Sequence, residues 1–381
     1  MRKLVPPASW SARALGGALA LASGAATAEL SQAAPRVATF EDVAPPPVRE
    51  ERDEGARASA REPHVEFQVV PEALPAPVGP PATAETTISP EPEPPALPRS
   101  ADPLSSNLRG GRVVTGATPH RLVLFTFDDG PDLRYTRSLL DALDEADVRA
   151  LFFLTARRIA GPTPYERELA EIAREIVARG HHVGTHTMDH VQLPLVASAE
   201  LAEQVDASAD VLERVLGARP ALLRPPGGSR SPRIDAYLAQ RGFTQVLWNL
   251  GSGDFQVRSA DEVLTTFRRV LEVRERDHGE RGGIVLLHDI HAWGVEAFPR
   301  MVAYLDRKNC ELLDRGEELY DFVDDPALFF QPRAEGDAPA AQAEPLVLPP
   351  TVLAERQIRA RARAETRCSD REALDALVAG R

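Results

Sequence analysis

Only two cysteines, Cys310 and Cys368, occur in 381 residues. That is too few for a disulfide-rich scaffold or a four-thiolate zinc site. No apolar run reaches the roughly 18–20 residues that a bilayer span requires. A polytopic membrane protein is excluded, and no transmembrane span is expected in the mature chain. Positive charge is also short: 44 basic residues face 57 acidic ones, a formal net charge of -13. Binding to phosphate backbones needs a basic footprint that displaces counterions, so no nucleic acid partner is expected. Aromatic residues are 6% of the chain and hydrophobic residues 43%, which allows a good core somewhere but not throughout.

What the chain has in excess is proline in one place. Of 34 prolines, 16 lie between Glu29 and Gly110. Runs such as Ala44-Pro45-Pro46-Pro47 and Pro90-Glu91-Pro92-Glu93-Pro94-Pro95 fix φ and remove backbone donors, so neither helix nor sheet propagates. Residues 29–112 therefore read as a disordered Pro-rich tether whose default role is spacing. Ahead of it, Arg2 and Lys3 precede a small apolar stretch, Ala14 to Ala22, and the small residues Ala26-Thr27-Ala28. That order suits an export signal over residues 1–28, cleaved after Ala28. Gly16, Gly17 and Arg13 dilute it, and an alanine-rich disordered start is the competing reading. An exported chain would be periplasmic, cell-surface or secreted.

One folded domain is expected over residues 113–325, with a partly helical tail over 326–381. Apolar strands are expected at 121–127, 150–154, 182–185, 221–223, 244–248 and 284–287. Helical spacing fits 135–146, 166–178, 198–216, 232–241, 260–274 and 295–306. Apolar strands alternating with helices indicate a parallel α/β sheet or barrel. In the tail, Gln331 to Pro350 looks loose, and Thr351 to Arg363 reads as a basic helical segment.

Four polar clusters fall at strand ends, where such folds collect their chemistry. Asp128-Asp129-Gly130-Pro131 follows the first strand. Neighbours leaving a strand point different ways, so one carboxylate can hold a cation while the other handles a proton. The plainer reading is a capping aspartate in an Asp-Gly turn. His186 and His190, four apart, fall on one side of a turn or helix and can share a cation, although such pairs are often structural. With Asp129 they would form a two-histidine, one-carboxylate site with open positions; Asp189, between them, should face elsewhere. Arg224-Pro225-Pro226-Gly227-Gly228 is either a surface turn or a stiff one whose arginine orients a carboxylate. His288, in Leu286-Leu287-His288-Asp289, either packs at a strand end or serves as a general acid. His181 and His182 read as structural or solvated.

In this order the clusters resemble the motifs of the polysaccharide deacetylase family with the NodB homology domain, carbohydrate esterase family 4. Thr126 to Pro131 resembles the first motif, His186 to His190 the histidine pair, Arg224 to Gly228 the third motif and Leu286 to Asp289 the last. The resemblance covers about Val113 to Val323. It implies a deformed (β/α) barrel that hydrolyses N-acetyl groups from amino sugars, releasing acetate. The substrate would be an N-acetylated glycan: peptidoglycan, a chitin-like oligomer or an exopolysaccharide. Asp129, His186 and His190 would hold a divalent metal, zinc first, with Co2+, Ni2+ and Fe2+ also compatible. Asp128 would be the base, Arg224 would sit near it, and His288 would be the acid. The metal would activate water and, with a backbone N–H of the Gly130 turn, stabilise the oxyanion.

The fourth motif departs from the family pattern of two acids and a tryptophan. In Trp248-Asn249-Leu250-Gly251-Ser252-Gly253-Asp254-Phe255, Gly251 stands where the first acid is usual and Phe255 replaces the tryptophan. Asp254 keeps the second acid and is expected to orient His288 and raise its pKa. The loss at Gly251 bears on specificity more than on chemistry. Trp293, close after the last motif with His291, offers a stacking face to a sugar or a packed lid. In an exported chain Cys310 and Cys368 can pair and pin the tail to the barrel, or they are unrelated thiols. Two other functional classes were weighed: a catalytically weak relative that only binds glycan, and a non-haem iron oxygenase. The latter usually sits in a β-rich jelly roll, which the α/β pattern does not suit.

Overall fold

A computed structural model describes residues 108–381. The expected export signal and the proline-rich stretch up to residue 107 lie outside the described residues. The elements run β1 (Leu122–Asp128), α1 (Thr136–Ala146), β2 (Ala150–Leu154), α2 (Pro164–Ala178), β3 (His182–Thr185), α3 (Ser208–Leu216), β4 (Leu222–Leu223), α4 (Pro232–Gln240) and β5 (Thr244–Gln245). They continue with β6 (Leu250–Gly251), α5 (Ala260–His278), β7 (Gly283–His288), α6 (Ala292–Arg315), β8 (Asp321–Phe322), α7 (Pro350–Arg367) and α8 (Arg371–Val378).

All the strand pairings are parallel, in the order β5-β4-β3-β2-β1-β7-β6, with β8 beside the start of β1. This is the expected deformed (β/α) barrel, and it excludes a jelly roll. The sheet ends at β5 and β6, which are neighbours in sequence. The segment around Val114 runs between them: Val114 bridges Val246, and its carbonyl accepts the Leu247 N–H.

Period-two alternation decides what each strand sends inward. In β1, Val123, Phe125 and Phe127 face the helices, where Phe298 of α6 meets Phe125 edge-on at 5.1 Å. Leu122 and Leu124 face inward and pack with Leu222, Ile284 and Phe153. Continuing that inner row past Leu124 gives Thr126 and then Asp128. The same count in β3, β4 and β7 brings His186, Arg224 and His288 inward at the C-terminal ends. The barrel is thus apolar at its base and ionic at its mouth.

The helices carry their own start and stop signals. Thr163 and Glu166 form a reciprocal capping box ahead of α2, worth about 1 kcal/mol. Ser259 caps α5, and Gly279 and Gly316 end α5 and α6 in the left-handed conformation. Several elements outrun their expected bounds: α5 reaches His278, α6 spans Ala292–Arg315 with Pro299 inside, and α7 reaches Arg367. The helix expected over 198–216 is shorter, with a π-helical turn at Ala202–Ala207 ahead of α3. β6 and β8 have two residues each, too few to show a period.

Residues 108–112 belong to the fold instead of the tether. Leu108 is buried, and Gly111 bridges Pro332. The stretch 331–350 is not loose either. Its backbone pairs with the segment leading into β1, Leu346 N–H to Ala117 O, and Leu348 is buried in the base of the barrel. Beyond it, α7 is tied down by arginines: Arg363 grips Asp306 of α6 with two hydrogen bonds of 2.9 Å. Arg356 pairs with Asp321 of β8.

Cys310 of α6 and Cys368 are joined, 58 residues apart in sequence. Closing a loop of that length removes unfolded-state entropy worth about 4 kcal/mol on the chain-entropy argument. Cys368→Ser should therefore lower the unfolding free energy by up to that amount, read from urea denaturation. No loss would mean that the ion pairs of α7 hold the tail unaided.

Candidate active site and metal centre

The mouth of the barrel is organised by an arginine with no solvent exposure. Arg224 leaves β4 pointing inward and donates four hydrogen bonds: Nε to Val246 O, one Nη to Leu247 O, and the other Nη to Thr126 Oγ1 and Asp128 Oδ1, both at 2.7 Å. Its plane lies over the Phe153 ring at 4.3 Å. The guanidinium is paired, hydrogen-bonded and stacked, as a buried charge must be. Thr126 was not singled out from sequence, yet it lies two residues before Asp128 in the same inward row.

Asp128 is held by one oxygen only. Oδ1 meets Arg224, while Oδ2 faces the cleft, 3.6 Å from His186 Nε2. Burial pushes its carboxyl up from the usual range, and the charges of Arg224 and His288 pull it back.

At Asp129 the chain turns sharply, with φ of 76°. Left-handed backbone is rare outside glycine, and Asp is among the residues that tolerate it. The turn swings the carboxylate toward the histidines. Asp129 Oδ1 lies 3.5 Å from His186 Nε2 and 3.3 Å from His190 Nε2. Gly130 is required by space: a Cβ there would sit 2.2 Å from Asp289 Oδ2. That buried carboxylate also accepts the Thr136 hydroxyl, so Asp289 braces the turn from behind. Sequence reasoning gave Asp289 no role, since its partners are remote in sequence.

The two histidines lie on an irregular turn in which Thr187 and His190 are also left-handed, with φ of 72° and 56°. Their rings converge to 4.9 Å between centroids. Asp189 turns away to Arg157 and Gln204. His186 is buried and donates Nδ1–H to Arg224 O at 2.7 Å, which leaves Nε2 as a lone pair facing Asp129. Burial lowers its pKa to about 3, so the ring is neutral.

One ligand atom from each of Asp129, His186 and His190 can be chosen so that all lie within 4.8 Å of one another. Asp129 Oδ1 is buried and has no hydrogen-bond donor. A carboxylate oxygen left without a donor and facing two imidazole nitrogens is an arrangement that a cation can satisfy. The donor set fits a divalent metal with open positions.

On the opposite wall, the fully buried Asp254 accepts both the Nδ1–H of His288, at 2.8 Å, and its backbone N–H, at 2.7 Å. His288 Nε2 then faces the cleft, 3.9 Å from Asp129 Oδ2. Burial opposes the charged ring. The hydrogen bond and charge of Asp254, with Asp128 and Asp129 beyond, nonetheless raise its pKa to about 9. His288 is a proton donor at neutral pH. Gly251 is open: a Cβ there meets only Trp248 Nε1, at 3.9 Å. His181 and His182 are buried below the mouth and are structural.

The sequence model of the family described as Polysaccharide deacetylase matches residues 115–246. The chain is 32% identical over 141 residues to a peptidoglycan-N-acetylglucosamine deacetylase of Bacillus cereus, covering 37% of this chain and 49% of that protein. It is 31% identical over 221 residues to the peptidoglycan-N-acetylglucosamine deacetylase PgdA of Listeria monocytogenes, covering 58% of this chain and 41% of that protein. The chain thus spans about half the length of these relatives or less. A solved peptidoglycan N-acetylglucosamine deacetylase aligns with a TM-score of 0.44 at 24% identity, covering 56% of this chain and 90% of that one.

The buried pair makes a stability prediction. Arg224→Leu strands a carboxylate in an apolar wall and should cost about 3–5 kcal/mol in urea unfolding. Arg224→Leu combined with Asp128→Leu should recover much of that, because neither charge is left alone.

Proposed function

The folded domain of this chain belongs to the polysaccharide deacetylase family, and from that premise we propose that it removes N-acetyl groups from amino sugars of a cell-wall or extracellular glycan. One observation carries the reading. Asp129 Oδ1, His186 Nε2 and His190 Nε2 gather at the mouth of the barrel, with Asp128 Oδ2 3.6 Å from His186 Nε2 and His288 Nε2 3.9 Å from Asp129 Oδ2. A metal-ligand set, a base and an acid share one space.

In this reading Asp129, His186 and His190 hold a divalent cation, zinc first. The cation supplies Lewis-acid polarisation of the acetamide carbonyl and lowers the pKa of water. Asp128 Oδ2 takes a proton from the attacking water, while Arg224 keeps Oδ1 fixed and opposes the upward push of burial on the carboxyl. His288, charged through Asp254, gives its Nε2 proton to the amide nitrogen as the C–N bond breaks. The products are acetate and a free amino sugar. Peptidoglycan is the first substrate to test, because both relatives named above carry it in their names. Export, to the periplasm, cell surface or medium, is part of the proposal. The Cys310–Cys368 disulfide supports it, since such bonds persist in oxidising compartments. Among the described residues no helix is long and apolar enough to cross a membrane.

The test is acetate release from peptidoglycan and from N-acetylglucosamine oligomers, with zinc, after chelation, and with His186→Ala. Acetate should appear only with metal and an intact His186. Acetate from the chelated protein would overturn the metal assignment. Metal bound without acetate from any glycan would leave a glycan-binding relative. A second variant isolates the base: Asp128→Asn should retain stoichiometric zinc while turnover falls at least ~100-fold. Normal turnover in that variant would remove Asp128 as the base.

A further inference from the structure

Beside the acid, the loop after β6 and the start of α6 bring planar side chains together in a row. Phe255 meets His288 edge-on, with ring centroids 6.0 Å apart. His291 lies 6.0 Å from His288 and stacks on Trp293, with centroids 4.8 Å and planes 13° apart. The Arg258 guanidinium lies over the Trp293 ring at 4.9 Å. Trp293 is anchored by its indole N–H, which donates to Asp254 O. The row is therefore fixed to the same residue that holds His288.

The charge at the end of this row has no acidic partner among the described residues. Arg258 is exposed, and its guanidinium donates only to Val257 O, at 3.0 Å. The acids near it in sequence are engaged elsewhere. Asp254 holds His288, Asp261 pairs with Arg300, and Glu262 accepts from the Ser259 hydroxyl and the Arg258 backbone N–H. Most arginines around the domain are paired, in a chain with 57 acidic residues. This one is stiffened by an indole, left without a carboxylate and set beside the cleft.

A guanidinium matches a carboxylate with two parallel N–H donors, and the Trp293 ring beneath it, itself stacked on His291, holds it in place. We propose that Arg258, backed by Trp293 and His291, is a specificity-determining residue that takes the carboxylate of an acidic sugar unit adjoining the acetamido sugar that reacts. The proposal rests on the deacetylase reading for the identity of the reacting sugar. It selects a glycan in which N-acetylated units alternate with carboxylate-bearing ones over a neutral homopolymer. The carboxylate can belong to a lactyl ether or to a uronate.

Binding tests this apart from turnover. The zinc-loaded full chain, wild type and Arg258→Gln, is titrated by calorimetry with four oligosaccharides of equal length. They are a neutral N-acetylglucosamine oligomer, an alternating oligomer with lactyl carboxylates, the same oligomer with those carboxyls reduced to alcohols, and an alternating uronate oligomer. Wild type should bind at least one carboxylate-bearing oligomer about fivefold more tightly than its neutral counterpart, as expected for an exposed charge pair. Arg258→Gln should abolish that preference and leave neutral affinity unchanged. Preference for the lactyl or for the uronate oligomer names the source of the carboxylate. Equal binding of acid and neutral forms by wild type, or an undiminished preference in Arg258→Gln, would overturn the proposal. Acetate release from the same oligomers reads the deacetylase activity separately. With turnover present, Arg258→Gln should raise KM on the preferred glycan and leave kcat unchanged. With none, the binding comparison still decides the role of Arg258.

Discussion

The ion pair between Asp128 and Arg224 is the constraint around which the mouth of the barrel is arranged. Neither side chain reaches bulk water, so each is tolerable only because the other is present and the remaining donors are satisfied. Satisfying Arg224 recruits three further elements: Thr126 from β1, and the carbonyls of Val246 and Leu247 from the segment after β5. The arginine's own carbonyl fixes His186 through Nδ1. One residue therefore sets the orientation of the proposed base and the tautomer of a proposed metal ligand. Arg224 is a structural centre whose functional consequences follow from what its hydrogen bonds exclude.

The proposed metal side is built on strain where the proposed base side is built on charge. Asp129, Thr187 and His190 all have positive φ. Conformations of this kind cost of order 1–3 kcal/mol each and persist only when the surroundings over-determine them. Here the surroundings do so on both turns. Gly130 leaves space that the buried Asp289 carboxylate fills, and Thr187 O accepts the Ala156 N–H while its N–H donates to Thr185 Oγ1. The outcome is a carboxylate oxygen with no protein donor facing two imidazole nitrogens. The favourable contact that would offset this arrangement is one the chain does not supply itself.

The chemistry was more legible in the sequence than the scaffold that holds it. Asp128, Asp129, His186, His190, Arg224 and His288 each end an apolar strand or follow one closely, and that position is readable without coordinates. Alternation sends Asp128, His186, Arg224 and His288 inward, while Asp129 and His190 join them through left-handed turns that no strand pattern reveals. Thr126 could have been added by counting two residues back from Asp128. Asp289, the β6 and β8 strands and the docking of 331–350 could not. Their determinants are single long-range contacts, such as Asp289 with Thr136 or Leu346 with Ala117. Two-residue strands carry no period, and an irregular segment docked by scattered contacts, such as Asp337 with Arg112 and the buried Leu348, leaves no periodic signature. The proline-rich composition also concealed that Leu108 enters the core, because one buried leucine is invisible in a window average.

The departures in the fourth motif look different once the geometry is known. Asp254 performs the part that His288 needs, gripping both the ring and the backbone N–H. Gly251 pairs with Leu286, two residues before His288, and space beside it is open toward Trp248. A missing acid there leaves the Asp254–His288 pair intact and leaves open space beside Trp248. Beside His288, Phe255 meets the ring on its own, while His291 and Trp293 lead away from it in a stacked pair that ends in the Arg258 guanidinium. In the proposed function, reaction and selection are thus carried by different physics in adjoining places. The first depends on buried charges whose partners are all internal. The second depends on planar faces and one cation whose natural partner must come from outside the chain.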